Sequence, residues 1–149
     1  MKVAVLLFSS ALALASATAV AEDDPTSRAI KYRQSVMTLV GANFKPMGAM
    51  LKGELPYDQA AFARHAADLA AVASVDILRG FPDDSEGDGS DAKGEIWLSW
   101  DDFRQKMEQF QAEAGKLGEV AAGGDRDAIQ AQFGATGKTC KACHDDFKK

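Results

Sequence analysis

Apolar residues recur along this chain at alternating steps of three and four in four separate stretches, with polar and charged residues between them. That spacing is the period of helices that bury one stripe against each other. In the first stretch, about 26–51, the stripe reads Ile30, Arg33, Met37, Val40, Phe44, Met47 and Leu51. Pro25 before it and Gly53 after it are start and stop signals, and Pro46 predicts a late kink. The second, about 59–79, opens after Asp58 as N-cap, carries Phe62, Ala66, Leu69 and Val72 on one side, and ends at Gly80-Phe81-Pro82. The third, about 95–117, repeats the stepping through Ile96, Trp100, Phe103, Met107, Phe110, Ala114 and Leu117, and Gly123-Gly124 break the chain after it. The fourth, about 125–147, carries Ile129, Phe133, Thr136, Cys140, Cys143 and Phe147.

The connections near Gly53 and Gly123 are short, so the helices they join should run antiparallel. The link from Phe81 to Gly94 is longer, acidic and Gly-rich, and reads as a solvated loop. Strand signals are absent. The expected fold is all-α, an antiparallel up-and-down four-helix bundle.

The start of the chain is different. Met1-Lys2 leads into an apolar run from Val3 to Leu14, then small residues ending Ala19-Val20-Ala21. This is the order of a secretory signal, too short in its apolar part for a membrane span. Cleavage after Ala21 is expected, leaving residues 22–149 as one domain exported to the periplasm. The leader holds one of the chain's 17 basic residues and none of its 22 acidic ones, so the mature chain is more acidic than the formal −5 of the whole. That balance argues against nucleic acid and anionic membrane as partners.

The two cysteines of the chain both lie in Cys140-Lys141-Ala142-Cys143-His144. C-x-x-C-H is the attachment pattern of a c-type haem. On a helix all three groups project from one face, where two thiols can form thioethers to the haem vinyl groups and the imidazole can bind iron. A thioredoxin-like dithiol would need a βαβ context, which is missing. A zinc site needs about four ligands, and the only other histidine, His65, is remote. A disulfide over so short a loop would stabilise little. The cofactor expected is therefore one covalent haem c, enclosed by the bundle, with His144 as axial ligand.

Antiparallel order sets His144 level with the early part of the first helix. Met37 is the nearest soft ligand there; Met47, Met50 and His65 fall at the far end, and Met107 about half-way down its helix. Met37 is expected to line the pocket opposite His144, either packing over the iron or binding it through sulfur. Arg33 lies one turn earlier on the inward stripe. A charge there needs a partner; a haem propionate is the candidate, with Gln34 beside it. Lys148, one turn after His144, points to haem or to solvent.

With the motif near the end of a helical, exported chain, the sequence resembles the class II c-type cytochromes, specifically the cytochrome c′ family. The pieces that carry the resemblance are Lys31-Tyr32-Arg33-Gln34-Ser35, Lys52-Gly53-Glu54-Leu55-Pro56-Tyr57-Asp58, Glu95-Ile96-Trp97, and Phe133-Gly134 followed by Cys140 to Phe147. It implies a four-helix bundle around one haem c, with Cys140 and Cys143 as attachment points and His144 as proximal ligand. It further implies haem contacts from Arg33, Gln34 and Asp91, and a homodimer through the first two helices. Met37 matches the distal position, which blocks the iron in most members and binds it in low-spin relatives.

Two functions from different classes follow. One is electron transfer with an unidentified periplasmic redox partner. The other is binding of diatomic gases, nitric oxide or carbon monoxide, at a five-coordinate iron under an apolar distal pocket. A free-dithiol oxidoreductase is a distant third. No acid/base pair or Ser/His/Asp arrangement reads as a catalytic site, so the chain is not expected to be an enzyme.

Overall fold

A computed structural model describes residues 24–149; the expected leader, 1–21, lies outside the described residues. Four long helices carry the fold: α1 (Pro25–Lys52), α2 (Gln59–Ala73), α4 (Trp100–Gly123) and α5 (Arg126–Phe147), with a single-turn helix α3 (Glu95–Leu98) before α4. The starts are built by aspartates. Asp24 accepts from the Ser27 N–H at 3.1 Å and the Ser27 hydroxyl at 2.6 Å, and these bonds hold its carboxyl below the usual carboxylate range. Asp58 accepts from the Ala61 N–H, and Asp125 from the N–H groups of Asp127 and Ala128. Gly124, at φ +77°, provides the left-handed residue that ends α4. Pro46 lies inside α1, which continues to Lys52.

Antiparallel packing is fixed by side-chain bonds that cross between neighbours. Asn43 meets His65 at 3.1 Å, pairing α1 with α2, and the Tyr32 hydroxyl donates to the Asp76 carbonyl in the segment just after α2. Gln59 donates to the Ala121 carbonyl, pairing α2 with α4, and Gln111 donates to the Val75 carbonyl two residues past the end of α2. Lys106 pairs with Asp146, and both Gln132 and Thr136 donate to the Glu113 carbonyl, pairing α4 with α5. The fourth edge of the bundle, α1 against α5, is bridged by a Phe44–Phe133 stack with centroids 4.2 Å apart.

Three boundaries differ from the sequence expectation. The second helix stops at Ala73 instead of running to Arg79. Ser74 turns its hydroxyl onto the Ala71 carbonyl, which competes with further helix. A 3₁₀ turn, Ile77–Gly80, then lies across α1, burying Ile77 fully and carrying Phe81 into the core. The third helix breaks at Ser99 (φ −127°, ψ 47°), leaving Leu98 outside and restarting at Trp100. It also continues past Leu117 to Gly123, because Ala121 extends the buried stripe by one more turn. No described helix is long and apolar enough to cross a membrane.

The crossing of the 3₁₀ turn over α1 depends on Gly80. A Cβ there would lie 2.8 Å from Tyr32 Cδ1 and 3.0 Å from Arg33 Cβ. Gly80→Ala is expected to destabilise the folded protein by about 1–3 kcal/mol through this overlap. A chemical denaturation midpoint equal to that of the parent chain would contradict the close packing.

Candidate haem-binding site

Between α1 and α5 lies a predominantly apolar cavity of about 500 Å3, closed by α4 on one side and by residues of the 81–92 segment at one end. Its size is that of a small-molecule or cofactor site. α1 supplies Arg33, Gln34 and Met37 to the wall, the loop supplies Asp91, and α5 supplies Cys140, Cys143 and His144. All seven residues singled out in the sequence thus line the same cavity.

The level of each follows from the Phe44 contacts. A Cβ built on Gly137 would meet Phe44 Cζ at 3.5 Å, so residues 44 and 137 are level. Seven residues further along each helix, in opposite directions, lie Met37 and His144. Met47 and Met50 are buried outside the cavity wall, and His65 is engaged with Asn43. Met107 does line the cavity, which the sequence placed half-way down its helix. The break at Ser99 is the reason: α4 proper begins at Trp100, so Met107 stands only two turns in. The Lys106–Asp146 pair, 3.0 Å, brings that level to the His144 end of α5.

Cys140 and Cys143 are free thiols, the first half-buried and the second buried. Burial pushes both upward, Cys143 to about 11, although nearby Lys106 acts in the opposite direction. They are protonated at neutral pH, unlike the activated thiolate of a dithiol oxidoreductase. Burial, then the charge of Lys148, lowers His144, leaving a neutral imidazole at pH 7 with a lone pair available to a metal.

Arg33 is 3% exposed and is bound entirely by neutral acceptors. One terminal nitrogen donates to the Gly80 carbonyl at 3.0 Å and the Ser85 hydroxyl at 3.1 Å. The other donates to the Ser85 carbonyl and the Ser90 hydroxyl, both at 2.8 Å. Phe81 and Trp97 flank the guanidinium at 5.1 and 5.8 Å. Its Nε is buried without a partner. Gln34 donates to the Gly89 carbonyl at 2.7 Å, so α1 holds the loop at two points. The loop is held on its other side by the chain end. The Lys93 N–H donates to the Phe147 carbonyl, the Lys149 N–H to that of Asp91, and Asp91 pairs with Lys148 at 2.7 Å. Lys148 thus meets a carboxylate instead of open solvent, and it holds the Asp91 carboxyl below its usual range. Ser85 and Ser90 had no sequence signal, since a loop's contacts depend on which helix it crosses.

These residues fit haem c. Two thiols and a neutral imidazole stand on one wall, the lining is apolar, and a buried cation with no carboxylate among its bonds keeps one unpaired donor for an anionic group. A helical bundle with a C-x-x-C-H segment facing an apolar internal cavity defines a c-type haem protein. The comparisons narrow the class. The family model described as Cytochrome C' matches residues 28–148. A cytochrome c′ of Halomonas halodenitrificans is 40% identical over 126 residues, covering 80% of this chain and 95% of that protein. The structure of cytochrome c prime from Shewanella frigidimarina superposes with a TM-score of 0.82 at 39% identity, covering 86% of this chain and 99% of that one. A nitric oxide complex of a mutant cytochrome c prime from Alcaligenes xylosoxidans superposes at 0.76 with 38% identity, covering 86% and 98%. The chain belongs to the cytochrome c′ family and binds haem c.

Because Arg33 ties α1 to the 3₁₀ turn through one bond and to the loop through three, Arg33→Ala would leave buried acceptors unmatched. A loss of about 3 kcal/mol in folding stability is expected, with faster amide exchange across 85–90. Unchanged exchange in that segment would contradict the role given to Arg33.

Proposed function

We propose that this chain is a periplasmic electron-transfer protein carrying one haem c, bound through Cys140 and Cys143 with His144 as axial ligand to the iron. The observation that carries this is the single cavity lined by both thiols, the neutral imidazole and the Met37 side chain of the facing helix. Bound haem c supplies a one-electron iron couple. The protein's part is to exclude water, hold the imidazole, and set the charge around the macrocycle edge. Arg33 Nε is the donor we assign to a propionate, with Gln34 and Asp91 as neighbouring contacts. Export, and cleavage after Ala21, belong to the same proposal. So does a homodimer through α1 and α2, supported by the half-exposed Leu39 on α1.

A second reading is favoured by the nitric oxide complex among the matching structures. An iron left five-coordinate beneath Met37 would take small neutral diatomics, since Met37 and the apolar Val40 and Phe44 that follow it along the wall offer a diatomic no hydrogen-bond donor. Optical spectra of the purified holoprotein and of Met37→Ala separate the two. The electron-carrier reading expects a low-spin ferric spectrum with a sulfur-to-iron charge-transfer band that Met37→Ala abolishes, together with a reversible one-electron wave in voltammetry. A high-spin spectrum unchanged by Met37→Ala, with nitric oxide or carbon monoxide binding several-fold faster in the variant, would transfer the case to gas binding. A colourless protein from a host competent in haem attachment would contradict both.

A further inference from the structure

Leu98 is the most exposed large apolar side chain among the described residues, at 85%. A solvent-facing leucine alone is ordinary. This one sits on the single turn α3, pushed outward by the break at Ser99, between two half-buried tryptophans, Trp97 and Trp100. Both tryptophans back onto the cavity wall. Trp97 lies 6.5 Å from Phe81 and Trp100 5.7 Å from Phe103, centroid to centroid, and Phe81 and Phe103 line the cavity. The surface here is therefore one ring layer from the haem space.

The exposed charges that no opposite charge meets are acidic here, while Lys93, two residues before Glu95, turns its ammonium away to the carbonyls of Asp145 and Asp146 at the end of α5. Trp97 Nε1 donates to the Pro82 carbonyl at 2.9 Å, which holds the following Asp83 and Asp84 beside the indole. Those two carboxylates and Glu95 are exposed and enter no ion pair among the described residues. The next carboxylates along the chain, Asp101 and Asp102, are matched within α4 by Arg104 and Lys106. An apolar centre with an unmatched acidic rim is the anatomy of a protein-docking patch, and the rim selects a partner of opposite charge.

We propose that Leu98, Trp97 and Trp100, rimmed by Asp83, Asp84 and Glu95, form the docking surface for a basic redox protein. The proposal rests on the electron-carrier reading. Electron exchange weakens steeply with distance, and this surface combines a wall one ring layer thick with an apolar centre and an acidic rim, whereas shifts centred on the cavity mouth would count against it. With haem c bound, one electron would pass between the partner's redox centre and this chain's haem, the one oxidised as the other is reduced, with no bond made or broken.

The test uses the ¹⁵N-labelled holoprotein titrated with a basic c-type cytochrome as probe at low ionic strength, with electron exchange followed by stopped flow. Amide shifts are expected over 83–84 and 95–102. Leu98→Ser should weaken binding about tenfold, within the range of an interface hot spot. Asp83→Lys combined with Glu95→Lys should slow association about tenfold, an effect that high salt removes. None of the three side chains lines the cavity, so an unchanged haem spectrum is the folding control. No binding, shifts centred elsewhere, or variants within twofold of the parent would overturn the surface. Binding at this surface with no electron exchange in the parent protein would leave the docking intact and contradict the carrier function on which it rests.

Discussion

An apolar space of about 500 Å3 between α1 and α5 is the constraint on which this structure turns. At about 24 cal/mol per Å3, an unfilled cavity of that size would cost on the order of 12 kcal/mol. That is as large as the whole stability of a typical domain, about 5–15 kcal/mol. The open mouth reduces the figure, because water reaches part of the lining, but the apolar wall still favours a filler over solvent. The thioethers proposed at Cys140 and Cys143 would tie the haem, the filler of that space, to α5. Met37 and Phe44 are only partly buried within the chain for the same reason: their remaining surface faces the cavity.

The second organising feature is the buried guanidinium of Arg33. It stands on α1 one turn from Met37, yet its bonds all run to the segment 80–90. That segment is in turn stitched to the end of α5 through Lys93, Asp91 and Lys148. The loop therefore joins the wall that carries Met37 to the turn that carries His144. The sequence reads this long acidic, Gly-rich link as solvated; instead its two buried serines and Phe81 make it the end wall of the site. A loop with so many buried anchors is structural as much as connective.

Much of this was legible in the sequence because the bundle follows a period. The stripes on α1, α4 and α5 located the inward faces, and the antiparallel order brought Met37 to the level of His144. Periodicity failed where a local bond or a tertiary contact overrode it. Ser74 stopped α2 early, and Gly80 was read as a stop when it is a point of close approach to α1. Ser99 shifted the start of α4, and with it the level of Met107. Gln132 is polar and was left off the α5 stripe, but it is buried because it donates to the backbone and carboxylate of Glu113. The partners of Arg33 lay outside sequence reasoning altogether, since they depend on where a loop crosses a helix.

Covalent attachment of the filler at Cys140 and Cys143 is the claim that all else presupposes. The intact mass of the chain, purified under denaturing conditions from a cell competent in cytochrome maturation, tests it most directly. The account predicts the mass of residues 22–149 plus one haem, retained through denaturation. The bare chain mass, or a haem lost on unfolding, would contradict it.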